Sequence, residues 1–295
     1  MKVLPKDLVS IVVPVRNGLP YLVTAIESAL ANQSVDFDLE VIIVENFSSD
    51  GTSDYLKTLV DPRVEIVRPD RPLSAAENWT LACQSARGEF IKLLCADDLI
   101  TEGGLVRQFN VLQLHPNSAL VASRRRVIDE RGAQILKSRG VPCEEGVHDG
   151  REIIGLCWKD GTNILGESAS VLFRREPLLK ALPWDGGLPY LLDLSLYFKV
   201  LATNSVVISH ETDAAFRVHP VSLSNEIGSA QAGQFVRFFK DHYARESASE
   251  RRGYYFLLFQ VLIRAYANQF ARAFFYAFIN ARNASGRLER KKAED

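Results

Sequence analysis

Four apolar runs rich in β-branched residues alternate with helix-period segments across the first hundred residues. No other feature of the chain constrains its fold as much. Leu8–Val15 (LVSIVVPV) and Leu39–Val44 (LEVIIV) are continuously apolar or nearly so, as strands buried on both faces must be. Val64–Val67 and Glu89–Leu94 (EFIKLL) read as a third and a fourth strand. Between them, Leu22, Ile26, Ala29 and Leu30 repeat on one helical face, Asp54–Val60 follows a Ser-Ser-Asp-Gly-Thr turn, and Ser74–Ala86 reads as a helix stopped by Gly88. Asn17-Gly18 breaks the first strand and Pro20 suits the start of a helix. The order βαβαβαβ predicts an α/β fold with a mostly parallel central sheet flanked by helices. Such sheets bind ligands outside the carboxyl ends of their strands. The residues at that rim are Arg16 and Asn17, Glu45 and Asn46, Arg68 and Asp70, and Asp97 and Asp98. Neither a Gly-x-Gly-x-x-Gly turn nor a Gly-Lys-Ser/Thr phosphate loop follows the first strand, which argues against a dehydrogenase or a P-loop enzyme.

Beyond residue 100 the pattern is mixed. Thr101–Leu114 reads as a helix capped by Thr101. Ala119–Ile128 and Gln134–Leu136 flank the hairpin signal Asp129-Glu130-Arg131-Gly132. Ser168–Phe173, Val206–Ser209 and Ala215–Val218 read as strands and Leu191–Ala202 as a helix, all continuing the first sheet. Residues 229–288 read as helical. Within them Gln260, Arg264, Asn268 and Arg272 form one narrow polar stripe on an otherwise apolar helix. Two central arginines make a membrane span too costly. The helix therefore either packs on the main domain or in a homodimer, the reading preferred here, or lies on a membrane surface. In the second case Arg245, Arg251, Arg252, Arg282 and Arg287 would meet anionic lipid. The expected division is a domain over 1–225, in two halves at 1–100 and 101–225, and a helical extension over 226–295.

With 35 Lys and Arg against 36 Asp and Glu, the chain lacks the basic excess that nucleic-acid binding requires. Cys83, Cys95, Cys143 and Cys157 form no Cys-x-x-Cys pair, and the first apolar run is too short for a signal peptide. Both observations predict a cytoplasmic protein.

Two adjacent carboxylates at a strand end, Asp97 and Asp98, suit a hard divalent cation that also meets substrate phosphates. The plain alternative is an acidic helix start. Glu45, at the end of the second strand, can accept a hydrogen bond from a base or a ribose, whereas Ser48–Thr52 is turn and cap chemistry. Trp158 and Trp184, in the turn-rich half, are candidate stacking platforms for a ligand ring, and Trp79 reads as core. Arg124-Arg125-Arg126 reads as a solvated strand edge that could also face an acidic acceptor.

Taken together, Val9–Asn17, Val44-Glu-Asn-Phe-Ser-Ser-Asp-Gly-Thr52, Asn78 with Ala86–Ile91, Ala96-Asp-Asp98, Leu192-Asp193, and Phe216-Arg-Val-His219 with Ser222 and Ser224 resemble a non-processive family 2 glycosyltransferase of the GT-A fold. The resemblance covers about residues 8–225 in the right order. It implies that Pro14, Arg16, Glu45, Asp97 and Arg217 border the nucleotide. It also implies that Asp98 and His219 serve a Mn2+ or Mg2+ ion and that Asp193 is the general base. The implied partners are a nucleotide-diphosphate sugar, with a UDP-sugar favoured, and a glycan or lipid-linked hydroxyl acceptor. The implied reaction is an inverting transfer in cell-surface glycan synthesis, on the cytoplasmic side and peripheral to the membrane if the last helix binds lipid. Without the resemblance, Asp193 would read as a plain helix cap. Glu45, Cys95 and Leu192 depart from the family's usual residues. They keep open a catalytically silent nucleotide-binding homologue acting through its C-terminal helices.

Overall fold

A computed structural model describes residues 8–220, 222, 228–243 and 253–294, with side chains as far as residue 279. Ser224 and residues 244–252, Arg245, Arg251 and Arg252 among them, lie outside the described residues. The strands are β1 (Leu8–Val15), β2 (Asp38–Glu45), β3 (Val64–Val67), β4 (Phe90–Leu93), β5 (Leu99–Ile100), β6 (Ser118–Ile128), β7 (Gln134–Arg139), β8 (Gly146–Asp149), β9 (Val171–Arg174) and β10 (Ser205–Arg217). The helices are α1 (Tyr21–Leu30), α2 (Thr52–Thr58), α3 (Ala75–Ser85), α4 (Gly104–Leu114), α5 (Gly150–Asp160), α6 (Arg175–Ala181), α7 (Leu192–Leu201), α8 (Gln231–Tyr243) and α9 (Tyr254–Glu294).

One sheet runs β3-β2-β1-β4-β9-β6-β10-β5, with β7 added beside β6 and β8 beside β10. The first four strands are parallel, as the βαβ alternation predicts. The other half is mixed. β9 runs antiparallel between β4 and β6, and β6 pairs parallel with β10. Period-2 alternation splits the core. Ile11, Val13, Val41 and Ile43 pack with α1 and α4 on one face; Val12, Ile42 and Val44 pack on the other with α3, α5, α7, α8 and α9.

Most elements fall where the periodicity puts them, and the exceptions have local causes. Helix α4 begins at Gly104 behind Gly103 (φ 66°), not at Thr101, because the Thr101 hydroxyl bonds the Thr212 carbonyl at 2.9 Å instead of capping. Residues 168–170 form a single helical turn before β9. The two late strands are one strand, β10, whose register shifts between Ser209 and Ala214. Arg124–Arg126 lie on β6, an interior strand, so they are not a sheet edge.

Candidate active site

The loops after β1 and β2 are latched together. Asn17 N–H donates to Ser48 Oγ (2.9 Å), Ser49 N–H to Asn17 Oδ1 (2.8 Å), Gly18 N–H to Thr52 Oγ1 (3.0 Å) and Leu19 N–H to Asp50 Oδ2 (3.0 Å). Ser48–Thr52 are thus the turn chemistry that the sequence indicates. Glu45 is buried at the end of β2, in register with Val15. It accepts from the Ser48 N–H at 2.7 Å and stands 3.8 Å from Arg68. Pro14 is buried in β1 and Arg16 is exposed just beyond it.

In the turn between β4 and β5, Asp98 is buried and accepts from the Arg217 main-chain N–H at 3.0 Å. The Arg217 guanidinium donates to the carbonyls of Asp97 (2.9 Å) and Asp129 (3.3 Å) and stacks 4.8 Å from the Tyr21 ring centre. Arg217 therefore braces the acidic turn from below. His219 Nε2 lies 3.0 Å from Asp97 Oδ2 and its ring packs on Tyr21, while its buried Nδ1 has no partner among the described residues. Burial, reinforced by the neighbouring Asp97, pushes the Asp98 carboxyl well above its usual range.

Ligand atoms of Cys95, Asp97 and Asp98 lie within 4.8 Å of one another. The two carboxylates suit Mn2+ or Mg2+. Cys95 does not. Burial and then Asp98 hold its thiol protonated, and its sulfur sits 3.6 Å from Ser168 Oγ.

Asp193 lines the same cleft as Asp97 and Asp98. It stands in the first turn of α7 but does not cap it. Its carboxylate accepts from the adjacent Leu194 N–H at 3.1 Å. Burial, then the charge of Glu167, pushes its pKa up to about 7.

Three more residues line the cleft: Glu167, which the sequence did not single out, and Arg125 and Arg272, which it placed on a strand edge and in a helix stripe. Glu167 pairs with Arg125, which donates to it at 3.2 Å. Burial raises the Glu167 carboxyl, but Arg125, a backbone hydrogen bond and Arg139 together hold it below its usual range. Arg125 is buried, which corrects the solvated-edge reading of its run. Arg272 reaches the cleft from α9, donating to the Tyr190 hydroxyl and to Thr162 Oγ1 (3.4 Å). The tryptophan assignments are reversed. Trp158 is core, ringed by Phe198, Phe235 and Phe239, and Trp184 is buried edge-on against Trp79. Trp79 is the tryptophan that borders the cleft.

The family model described as "Glycosyl transferase family 2" matches residues 10–180. An uncharacterized glycosyltransferase of Rickettsia typhi is 28% identical over 221 residues, covering 74% of this chain; the match spans 66% of that relative's length. TuaG of Bacillus subtilis, a putative teichuronic acid biosynthesis glycosyltransferase, is 26% identical over 145 residues, 48% of this chain and 53% of its own. Among solved structures, S. aureus TarS 1–349 in complex with UDP-GlcNAc superposes with a TM-score of 0.65 at 16% identity. That superposition covers 88% of this chain and 73% of TarS. It extends the fold likeness through most of the molecule.

Proposed function

The chain belongs to glycosyl transferase family 2, and from that membership we propose that it moves a sugar from a nucleotide-diphosphate sugar to a hydroxyl acceptor with inversion. The observation that carries this reading is Asp193, titrating near 7 and lining one cleft with Asp97 and Asp98. A general base works best with a pKa near the working pH. Asp193 takes the acceptor proton as the hydroxyl oxygen attacks the anomeric carbon. The bond from that carbon to the diphosphate breaks, and the diphosphate leaves with the electron pair. Attack opposite the leaving group inverts the centre.

Asp97 and Asp98 would hold the divalent ion, with His219 Nδ1 at hand. Bound there, Mn2+ or Mg2+ would offset the charge gathering on the leaving diphosphate. Arg217 holds the acidic pair in place, and Pro14, Arg16 and Glu45 border the nucleotide. TarS is seen with UDP-GlcNAc, which supports a UDP-sugar here. The teichuronic acid relative supports a role in cell-surface glycan synthesis. Free thiols at all four cysteines accord with work in the cytoplasm.

The test is a thermal-shift panel of UDP, GDP, dTDP and CMP, with and without Mn2+, because a ligand that binds the folded state raises its melting point by mass action. Metal-dependent stabilisation by one diphosphate is expected, together with turnover that disappears in Asp98→Ala and Asp193→Ala. Absence of any shift at millimolar ligand and metal would favour the silent homologue.

A further inference from the structure

Helix α9 is built inside out. Its polar stripe turns toward the domain. Asn268 donates to the Asp160 carbonyl at 2.7 Å, Gln269 accepts from the Ala232 N–H at 2.8 Å, and Arg272 reaches Tyr190. Val261, Ala265, Tyr276 and Ile279 complete the buried side. The opposite face is aromatic and open: Tyr255 is 84% exposed, Phe270 73% and Phe274 78%, with Phe256, Phe259 and Phe278 beside them. At 100° per residue these side chains share one arc with no charge among them. The arc spans about 36 Å of helix at 1.5 Å per residue. Contiguous apolar surface of this extent marks an interaction site.

Charge decides what covers it. Leaving aside Arg272, which turns into the cleft, the chain from Arg251 to Leu288 carries five arginines and no Asp or Glu, in a protein whose net charge is −1. Two copies packed through α9 would bring these like charges together. An anionic bilayer would attract them while its acyl boundary takes the aromatic rings. No described helix is long and apolar enough to cross a membrane, so the helix would lie in the interface plane.

We propose that the outward face of α9 docks this protein on an anionic lipid surface. Arg272 and Tyr276 of the same helix line the cleft. Docking therefore holds the reaction site beside the bilayer and, resting on the transferase reading, selects an acceptor whose hydroxyl is carried on a membrane-anchored lipid.

The experiment is co-sedimentation of the full chain with vesicles of phosphatidylcholine alone or mixed with phosphatidylglycerol, alongside the triple variant Phe259→Gln, Phe270→Gln, Phe274→Gln. These side chains are exposed, and an unchanged melting point confirms that the variant folds. Expected are binding to the anionic vesicles that weakens in high salt, and a loss of at least about tenfold in the variant. No sedimentation with anionic vesicles, or equal binding by the variant, would overturn the proposal. So would light scattering that shows a wild-type dimer turned monomeric by the variant. Vesicle binding is read without donor or turnover, so it fails or succeeds separately from the transferase reading.

Discussion

Arg272, on the last helix, donates a hydrogen bond to the hydroxyl of Tyr190, three residues before Asp193. The helix that carries the exposed aromatic face is thereby tied to the segment that presents the proposed base. The guanidinium also lies 5.5 Å from the Tyr190 ring centre, so the contact fixes both the ring and the hydroxyl. Arg272→Met should loosen that segment and lower kcat by roughly tenfold or more, as small misplacements of reacting groups do. The melting shift induced by UDP should stay as in the wild type. Loss of that shift would place Arg272 on the donor instead.

The pKa of about 7 at Asp193 has a pH signature. A base must be ionised, so kcat should rise with pH through about 7 and then level off. Asp193→Asn should lose roughly 10²–10⁴ in rate and the pH dependence with it. Stability runs the other way. The folded state favours the neutral carboxyl, a contribution present at low pH and lost as pH rises through about 7. Thermal melts at pH 8 should therefore find Asp193→Asn more stable than the wild type, a trade of stability for activity at a working site.

Gly161 ends α5 at φ 63°, and a Cβ there would stand 2.6 Å from the Ala265 main-chain nitrogen of α9. Only glycine meets both demands. Gly161→Ala should push α9 off α5 and destabilise the fold by roughly 1–3 kcal/mol. At about 2–4 °C per kcal/mol for a chain of this order of size, the loss is readable in a melt.

Lys92 is fully buried, with its ammonium 2.7 Å from Gln108 Oε1. Burial depresses its pKa to about 7 despite the attraction of Asp213. Between about 7 and the ordinary lysine value the unfolded chain binds more protons than the folded one, so stability should climb with pH across that window. Lys92→Met should abolish the climb and melt higher at pH 7, because Arg107 still pairs with Asp213 at 2.7 Å. Parallel melts from pH 7 to 10 would check both; a flat wild-type profile would contradict the burial argument.

The parallel half of the sheet, the latched loop 48–52 and the acidic turn at 97–98 were all legible in the sequence. Each rests on local signals: strand period, turn residues, and acids placed just past a strand end. Asp193 was legible only through the family resemblance, since alone it reads as a helix cap. What makes it a candidate base is burial beside Glu167, which lies 26 residues away. The second half was harder to read. The insertion of β9 between β4 and β6, the bulged continuity of β10 and the inward turn of Arg125 depend on which distant strands pair.

The amino-acid order alone determined the alternating layers and the chemistry at the strand ends, because both follow from side-chain periods and turn propensities over a few residues. Tertiary structure alone decided the reversed roles of the tryptophans, the entry of Arg272 into the cleft and the outward face of α9. Hydrophobic periodicity shows that a helix has a polar stripe. Which side meets the domain depends on whether carbonyls such as those of Asp160 and Gly161, more than a hundred residues earlier, are placed to receive Asn268.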